Sequence, residues 1–356
     1  TPTGLEQATD QWIAAYKAER FSRAGRVADL CCGIGGDLLS LTARTRVLGV
    51  DRDEIAALFA RTNLEAVDRS SDESPPDNVL CSEIAQIPLD GISAWHIDPD
   101  RRPHGRRTTR VELHEPGMPE IERLLAACPA GSIKLAPAAA LPERWSSEAE
   151  LEWISRGGEC RQLVAWFGPL AKSPGMRRAT IVKPNGANLA SGERQPPDGP
   201  RSSAEQENIE VRSVVGEAEL EIPPATGFSR FLAEPDAAVL AAKLTGVLAA
   251  ERKLAAIAPG SVYLTGDEAA PDLALAWFEI ADVLPFDVKR LKALLRERGC
   301  GRLEIKKRGV PHDPERVRRQ LRVPGENAAT VFITRVRGAV TAIVTQRINN
   351  ADAEKT

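Results

Sequence analysis

The chain has 356 residues and a formal net charge of −3, with 42% hydrophobic and 27% charged residues. That length supports two domains with a core each, and the near-neutral balance excludes a uniformly basic coat for nucleic acid, so any basic surface must be local. No apolar run reaches the ~18 residues of a spanning helix. Six cysteines and four histidines show no metal-ligand spacing, so a reducing cytoplasm is expected and a metal is not.

A leading helix falls within residues 1–24, where Trp12, Ile13 and Tyr16 share one side. The chain starts at Thr1 rather than Met and reads as a piece of a longer protein. From Val27 onward, short apolar runs predict strands at 27–31, 47–51, 79–81, 94–98, 131–136, 160–167 and 178–183. Helical patterns lie between them, at Asp53–Ala66 and Pro119–Ala127 among others. Such alternation predicts an α/β domain over 25–186, a seven-stranded, mainly parallel sheet with helices on both faces. No helical pattern separates the last two strands, which predicts an antiparallel hairpin at the sheet edge. Residues 187–217 are rich in Pro, Gly and Ser and read as a flexible linker or insertion. A smaller α+β domain follows over 218–350. It has a long helix at 236–257, a helix from Asp287 to Gly299, and strands at 301–306, 328–335 and 339–346.

Two stretches carry the chemistry of the first domain. Ala28 to Asp37 runs from an apolar strand into a glycine turn, and Val47 to Asp51 is a second strand ending on an acid 22 residues after Asp29. This layout lets backbone approach a nucleoside-bearing ligand while Asp51 accepts hydrogen bonds from its ribose. Gly33 and Gly35 fill the first two places of a dinucleotide fingerprint, but Leu38 stands in the third. Asp29, at the end of its strand, suits a cofactor with a cationic amino acid group. The string Asp29, Cys31, Gly33, Gly35 and Gly36 resembles motif I of class I S-adenosylmethionine-dependent methyltransferases. The resemblance implies that these residues and Asp51 hold S-adenosylmethionine, with Arg52 along the adenine and Glu83 at its edge.

The fourth strand ends in Asp98-Pro99-Asp100-Arg101-Arg102, on the side where open α/β sheets bind ligands. Nitrogen-modifying methyltransferases carry an Asp/Asn-Pro-Pro-aromatic tetrapeptide here. This chain keeps Asp98 and Pro99 and departs from the pattern afterwards, which moves base stacking to Trp166 or Phe167. Lys134, ending the fifth strand, is expected beside Asp98, and the pair resembles half of the charged tetrad of ribose 2′-oxygen methylation.

Two segments are basic. Arg101, Arg102, Arg106 and Arg107 follow the reaction-site strand, and Asp287 to Arg322 holds 13 Lys/Arg against 5 Asp/Glu, including Lys306, Lys307 and Arg308. Arginine forks match phosphate geometry, so an RNA backbone is the expected partner.

From Gly4-Leu5-Glu6-Gln7-Ala8-Thr9 through Asp98 to Arg102, Ile133 to Pro137, Tyr263 to Asp267 and Leu303 to Gly309, the chain resembles a bacterial family joining a class I (Rossmann-like) methyltransferase to a C-terminal THUMP-like domain. It is more distantly similar to trimethylguanosine synthases. The resemblance implies methylation of structured RNA, such as tRNA or rRNA, at a base nitrogen such as guanine N2. Ribose 2′-oxygen methylation, a non-catalytic RNA-binding role and a small-molecule acceptor stay open beside it.

Overall fold

The computed structural model describes residues 8–67, 79–102, 108–185 and 209–348, and its contacts divide the chain between Gly216 and Glu217. In the first unit the strands are β1 (Arg26–Leu30), β2 (Arg46–Asp51), β3 (Val79–Cys81), β4 (Ala94–Ile97), β5 (Gly131–Leu135), β6 (Glu150–Arg156), β7 (Glu159–Trp166), β8 (Arg177–Pro184) and β9 (Ile209–Gly216). They form one sheet in the order β3-β2-β1-β4-β5-β7-β6-β8-β9. Its helices include α1 (Gln11–Ala18), α2 (Leu38–Thr42), α3 (Glu54–Val67) and α4 (Met118–Ala127).

The first five strands in this order pair in parallel, and β1, β4 and β5 are buried along nearly their whole length. Burial on both faces is why they read as unbroken apolar runs. β7 runs antiparallel to both β5 and β6, completing a seven-stranded core that β8 and β9 extend to nine.

Two expectations need correction. The strands near 160–167 and 178–183 are not a hairpin, because β6 lies between them. Residues 209–216, expected in the linker, form β9 and pair antiparallel with β8; residues 187–208 of the expected linker lie outside the described residues.

β6 was hard to see because Glu150 and Glu152 are fully buried in it. Their counter-charge comes from the chain's beginning. Asp10 caps α1 by accepting from the backbone of Trp12 and Ile13, and just beyond the helix Arg20 donates to Glu150 at 2.9 Å and to Glu152 at 2.9 Å. Its guanidinium lies 4.4 Å from the Trp166 ring centroid, and Tyr16 donates to Glu152 at 2.6 Å. Thus α1 is pinned to the sheet by ions as well as by Ile13 and Ala14.

Burial alone would raise the Glu150 carboxyl, but Arg20 and Arg178 outweigh it and hold it down at about 2. Because the unfolded chain protonates near 4.5, this contribution is complete above that pH. It drains away as pH falls from there towards 2, a loss on the order of 3 kcal/mol. Denaturant unfolding at pH 6 and pH 3 should show about 2 kcal/mol of that loss in the wild type, because pH 3 still lies above the folded value, and a smaller one in Glu150→Gln.

The second unit is a seven-stranded sheet in the order β11-β12-β10-β13-β16-β15-β14. Its strands are β10 (Phe231–Pro235), β11 (Ala255–Ala256), β12 (Leu264–Gly266), β13 (Leu275–Pro285), β14 (Cys300–Lys307), β15 (Asn327–Val336) and β16 (Ala339–Ile348). The expected long helix at 236–257 is instead two, α5 (Ala237–Ala242) and α6 (Thr245–Arg252), broken where Lys243 turns left-handed at φ 58°. Alternation along β15 sends Val331 and Ile333 to one face of the sheet and Phe332 to the other. On the first face α7 (Val288–Glu297) and α8 (Pro314–Gln320) seat Leu291, Leu295, Val317 and Leu321. On the second, Phe332 packs with Tyr263 and Phe278. Among the described residues no helix is long and apolar enough to cross a membrane.

Candidate functional site

The tips of β1, β2 and β4 meet around the glycine turn. Cys32 donates to the carbonyl of Val50, and Asp98 to that of Leu30, so the three tips are tied by backbone. Gly33 and Gly35 sit at φ 56° and 93°, a region that glycine enters without strain. Gly36 is required for a different reason: a side-chain carbon there would fall 2.9 Å from the backbone nitrogen of Thr9. Its place is set by the segment leading into α1.

Above the turn opens a cavity of about 570 Å³. Asp29, Cys31, Gly33, Gly36, Asp51, Arg52, Asp98, Pro99, Arg101 and Arg102 all line it. Of the expected cofactor residues, Gly35 and Glu83 do not; Glu83 is exposed beyond β3. Arg106 and Arg107 lie outside the described residues.

Asp51 accepts from the backbone of Gly33 at 2.8 Å through one oxygen and of Asp53 at 2.9 Å through the other. Each oxygen keeps a lone pair for a further donor. Asp29 is 1% exposed, and its Oδ2 has no hydrogen-bond partner among the described residues. Burial, reinforced by Asp37 and Asp98, pushes its carboxyl well above the usual range. A buried carboxyl beside a cavity, with one oxygen unpartnered among the described residues, fits a cationic ligand group, whose charge would favour its ionised form.

Asp98 keeps 30% of its side chain exposed and accepts from Lys134 Nζ at 2.6 Å. Burial alone would lower the Lys134 ammonium, but Asp98 and Asp37 outweigh it and hold it above its usual value. A second pair lies close behind. Asp37 accepts from Lys17 at 2.6 Å and from the Thr9 hydroxyl at 2.6 Å. Burial would raise Asp37, yet Lys17 and His96 keep it well below the usual range. His96 hydrogen-bonds Ser132 through Nδ1 at 2.7 Å, and burial and Lys17 lower its pKa, so the ring is neutral at physiological pH.

Several lining residues were not foreseen. Thr9 and Asp37 belong to the N-terminal wall, while Ile55 and Phe59, exposed and one turn apart on α3, face the opening. Apolar residues at that spacing read as core, and only the fold shows them bordering a cavity. Glu115 also lines it and clasps Arg52 through both guanidinium nitrogens at 2.6 and 3.0 Å, so the expected adenine partner is engaged in an ion pair.

The stacking role expected of Trp166 or Phe167 is overturned. Trp166 is fully buried, donates to Glu152 and carries Arg20 on its face, and Phe167 packs edge-on against Trp145. Lys306 is likewise not free for phosphate, since it is bound to Glu234, with Glu304 at 3.7 Å, above Phe278 and Phe332. Lys307 and Arg308 remain exposed.

Comparison with known proteins agrees with this geometry. Residues 275–347 match the family model described as THUMP domain-like. The chain is 34% identical over 341 residues to an uncharacterized S-adenosylmethionine-dependent methyltransferase of Mycobacterium tuberculosis, found in strains CDC 1551 and H37Rv. That similarity spans 94% of this chain and 84% of the relative. A crystal structure described as a methyltransferase from Porphyromonas gingivalis W83 shares the fold, with TM-score 0.73 and 20% identity over 98% of this chain and 83% of that one.

Proposed function

Because the chain belongs to the S-adenosylmethionine-dependent methyltransferases and carries a THUMP-like domain at its C-terminus, we propose that it methylates structured RNA at an exocyclic base nitrogen, guanine N2 in particular. Residues 25–186 perform the transfer in this reading, and 218–350 grip the RNA. The six free cysteines support a reducing, cytoplasmic compartment.

S-adenosylmethionine supplies an electrophilic methyl on a sulfonium. Asp29 would hold its ammonium and Asp51 its ribose hydroxyls, with the backbone from Cys31 to Gly36 alongside. Both carboxylates line the cavity, and Asp29 Oδ2 is unpartnered. Asp51→Ala removes charge-assisted hydrogen bonds of roughly 2 kcal/mol and should weaken S-adenosylhomocysteine binding about 30-fold or more by calorimetry. Unchanged binding would remove Asp51 from the site.

The Asp98–Lys134 pair carries the choice of acceptor. A ribose hydroxyl must lose its proton as it attacks, which asks for a neutral amine base nearby. Lys134 is held protonated by Asp98 and Asp37. An exocyclic amine needs no prior deprotonation; it needs an acceptor that orients its N–H groups and receives a proton late. Asp98, partly exposed and with Lys134 on Oδ2, suits that task. Guanine presents N1–H and N2–H₂ donors to a carboxylate and an O6 acceptor to a cation, and Arg101 and Arg102 line the same cavity.

Ribose 2′-oxygen is the second reading, favoured by one observation: a second buried lysine, Lys17, is held by Asp37 at 2.6 Å, so that with Lys134 and Asp98 three of the four tetrad residue types are present. Tritiated-methyl transfer into RNA from cells lacking the gene, followed by nucleoside mass spectrometry, separates the two. Label in N2-methylguanosine supports the proposal, label in a 2′-O-methyl nucleoside supports the second reading, and no label in any RNA defeats both.

A further inference from the structure

The second unit displays a basic surface that lies within the basic segment Asp287 to Arg322 but apart from Lys306 to Arg308. α7 and α8 lie side by side over one apolar cluster, and Lys292 of α7 donates to the carbonyl of Gln320 at the end of α8 at 3.2 Å. With Leu291, Leu295, Val317 and Leu321 turned inward, helical geometry turns Lys289 and Arg296 of α7, and Arg319 of α8, directly outward. Arg290 and Arg316 stand on the flanks, and Arg322 follows α8. All six are exposed, and their side chains have no ion-pair or hydrogen-bond partner among the described residues.

All but one of the nearby acids are committed elsewhere, the exception being Glu297, exposed at the end of α7. Asp287 caps α7 by accepting from the backbone of Arg290, Asp313 caps α8 by accepting from that of Arg316, and Glu315 pairs with Arg318. A solvated helix face in a near-neutral chain ordinarily mixes signs, with i,i+4 pairs relieving like-charge repulsion. Six unpaired cations on two abutting helices, with Glu297 the one uncommitted acid among them, leave most of that repulsion standing, and a polyanion would remove it. Lys306, by contrast, points to the opposite face of the sheet, above Phe278 and Phe332.

We infer that the paired outer faces of α7 and α8 are the surface on which this unit seats an RNA sugar–phosphate backbone. The inference rests on the RNA reading proposed above and specifies which side of the unit serves it. Arginine forks on two rigid helices can each span neighbouring phosphate oxygens, with no base edge read. Affinity from this face is therefore indifferent to sequence and steeply dependent on salt.

The test uses the full chain, a fluorescein-labelled mixed-sequence RNA stem-loop and anisotropy titrations over a range of KCl. The variant is Lys289→Gln/Arg296→Gln/Arg316→Gln/Arg319→Gln; Lys307→Gln/Arg308→Gln serves for comparison. Loss of four phosphate contacts should flatten the slope of log K against log salt by about 3, at roughly 0.7 to 0.9 per contact, and weaken binding by 10-fold or more near 100 mM. S-adenosylhomocysteine binding should not change, which shows that the catalytic unit is intact, and an unaltered unfolding midpoint shows the same for the second unit. If wild type binds and the quadruple variant keeps its affinity and slope, this surface is wrong while the RNA reading stands. Equal capture of a polyglutamate peptide by wild type would also overturn it, since the face would then be no RNA seat. If wild type binds no RNA at any salt, the RNA reading falls and the inference with it.

Discussion

Asp98→Asn is expected to lower kcat for methyl transfer by about 10³-fold while S-adenosylhomocysteine binding changes only a few-fold. The amide keeps the size of the carboxylate but cannot receive the proton that the amine sheds, and it presents an N–H to the incoming donor. Methyl transfer is an in-line displacement, so misorienting the attacking lone pair costs rate rather than cofactor affinity. A structural explanation competes with this one. Asp98 is also the anion beside the buried Lys134 ammonium, and removing it could merely disturb the strand tips. Asp98→Asn/Lys134→Met distinguishes the two, because it removes the unpaired cation along with its partner. If Asp98 only neutralises Lys134, the double variant should regain activity; if Asp98 handles the acceptor, it should stay as slow as Asp98→Asn. Recovery would end the assignment of Asp98 to the chemistry.

The strand tips were legible in the sequence because of where they lie. β1, β2, β4 and β5 are central parallel strands, so an acid or lysine ending such a run stands out against Val, Ile and Leu. Asp29, Asp51, Asp98 and Lys134 were found in that way. What stayed hidden depends on partners far along the chain. β6 reads as a polar segment until Arg20, 130 residues earlier, is placed against Glu150. Lys17 reads as the polar face of a helix, yet it is 2% exposed and paired with Asp37. Lys306 looks like surface charge, and its tie to Glu234 joins residues 72 apart in the chain. The break at Lys243 had no signal either, since lysine does not mark a left-handed turn as glycine or asparagine does.

Arg20→Ala should destabilise the first unit by about 3–5 kcal/mol, the cost of leaving buried carboxylates without their cation. Glu150 and Glu152 are both 0% exposed, and Arg20 is the residue that donates to the two of them. Arg178 still serves Glu150, but Glu152 would keep only the Tyr16 and Thr180 hydroxyls and the Trp166 indole. Loss of the cation over the Trp166 ring adds to the damage. The effect should reach the cavity, because Arg20 fixes the segment that carries Lys17 and Thr9 to Asp37. S-adenosylhomocysteine binding should weaken in a variant still folded at low temperature. Arg20→Met/Glu150→Gln/Glu152→Gln should recover part of the lost stability, since it removes the unpaired charges along with their partner. Urea unfolding of the three proteins at pH 7 decides the matter. A single variant within about 1 kcal/mol of wild type, as isolated surface pairs behave, would mean that α1 is held by Ile13 and Ala14 alone and that the buried ions contribute nothing to its docking.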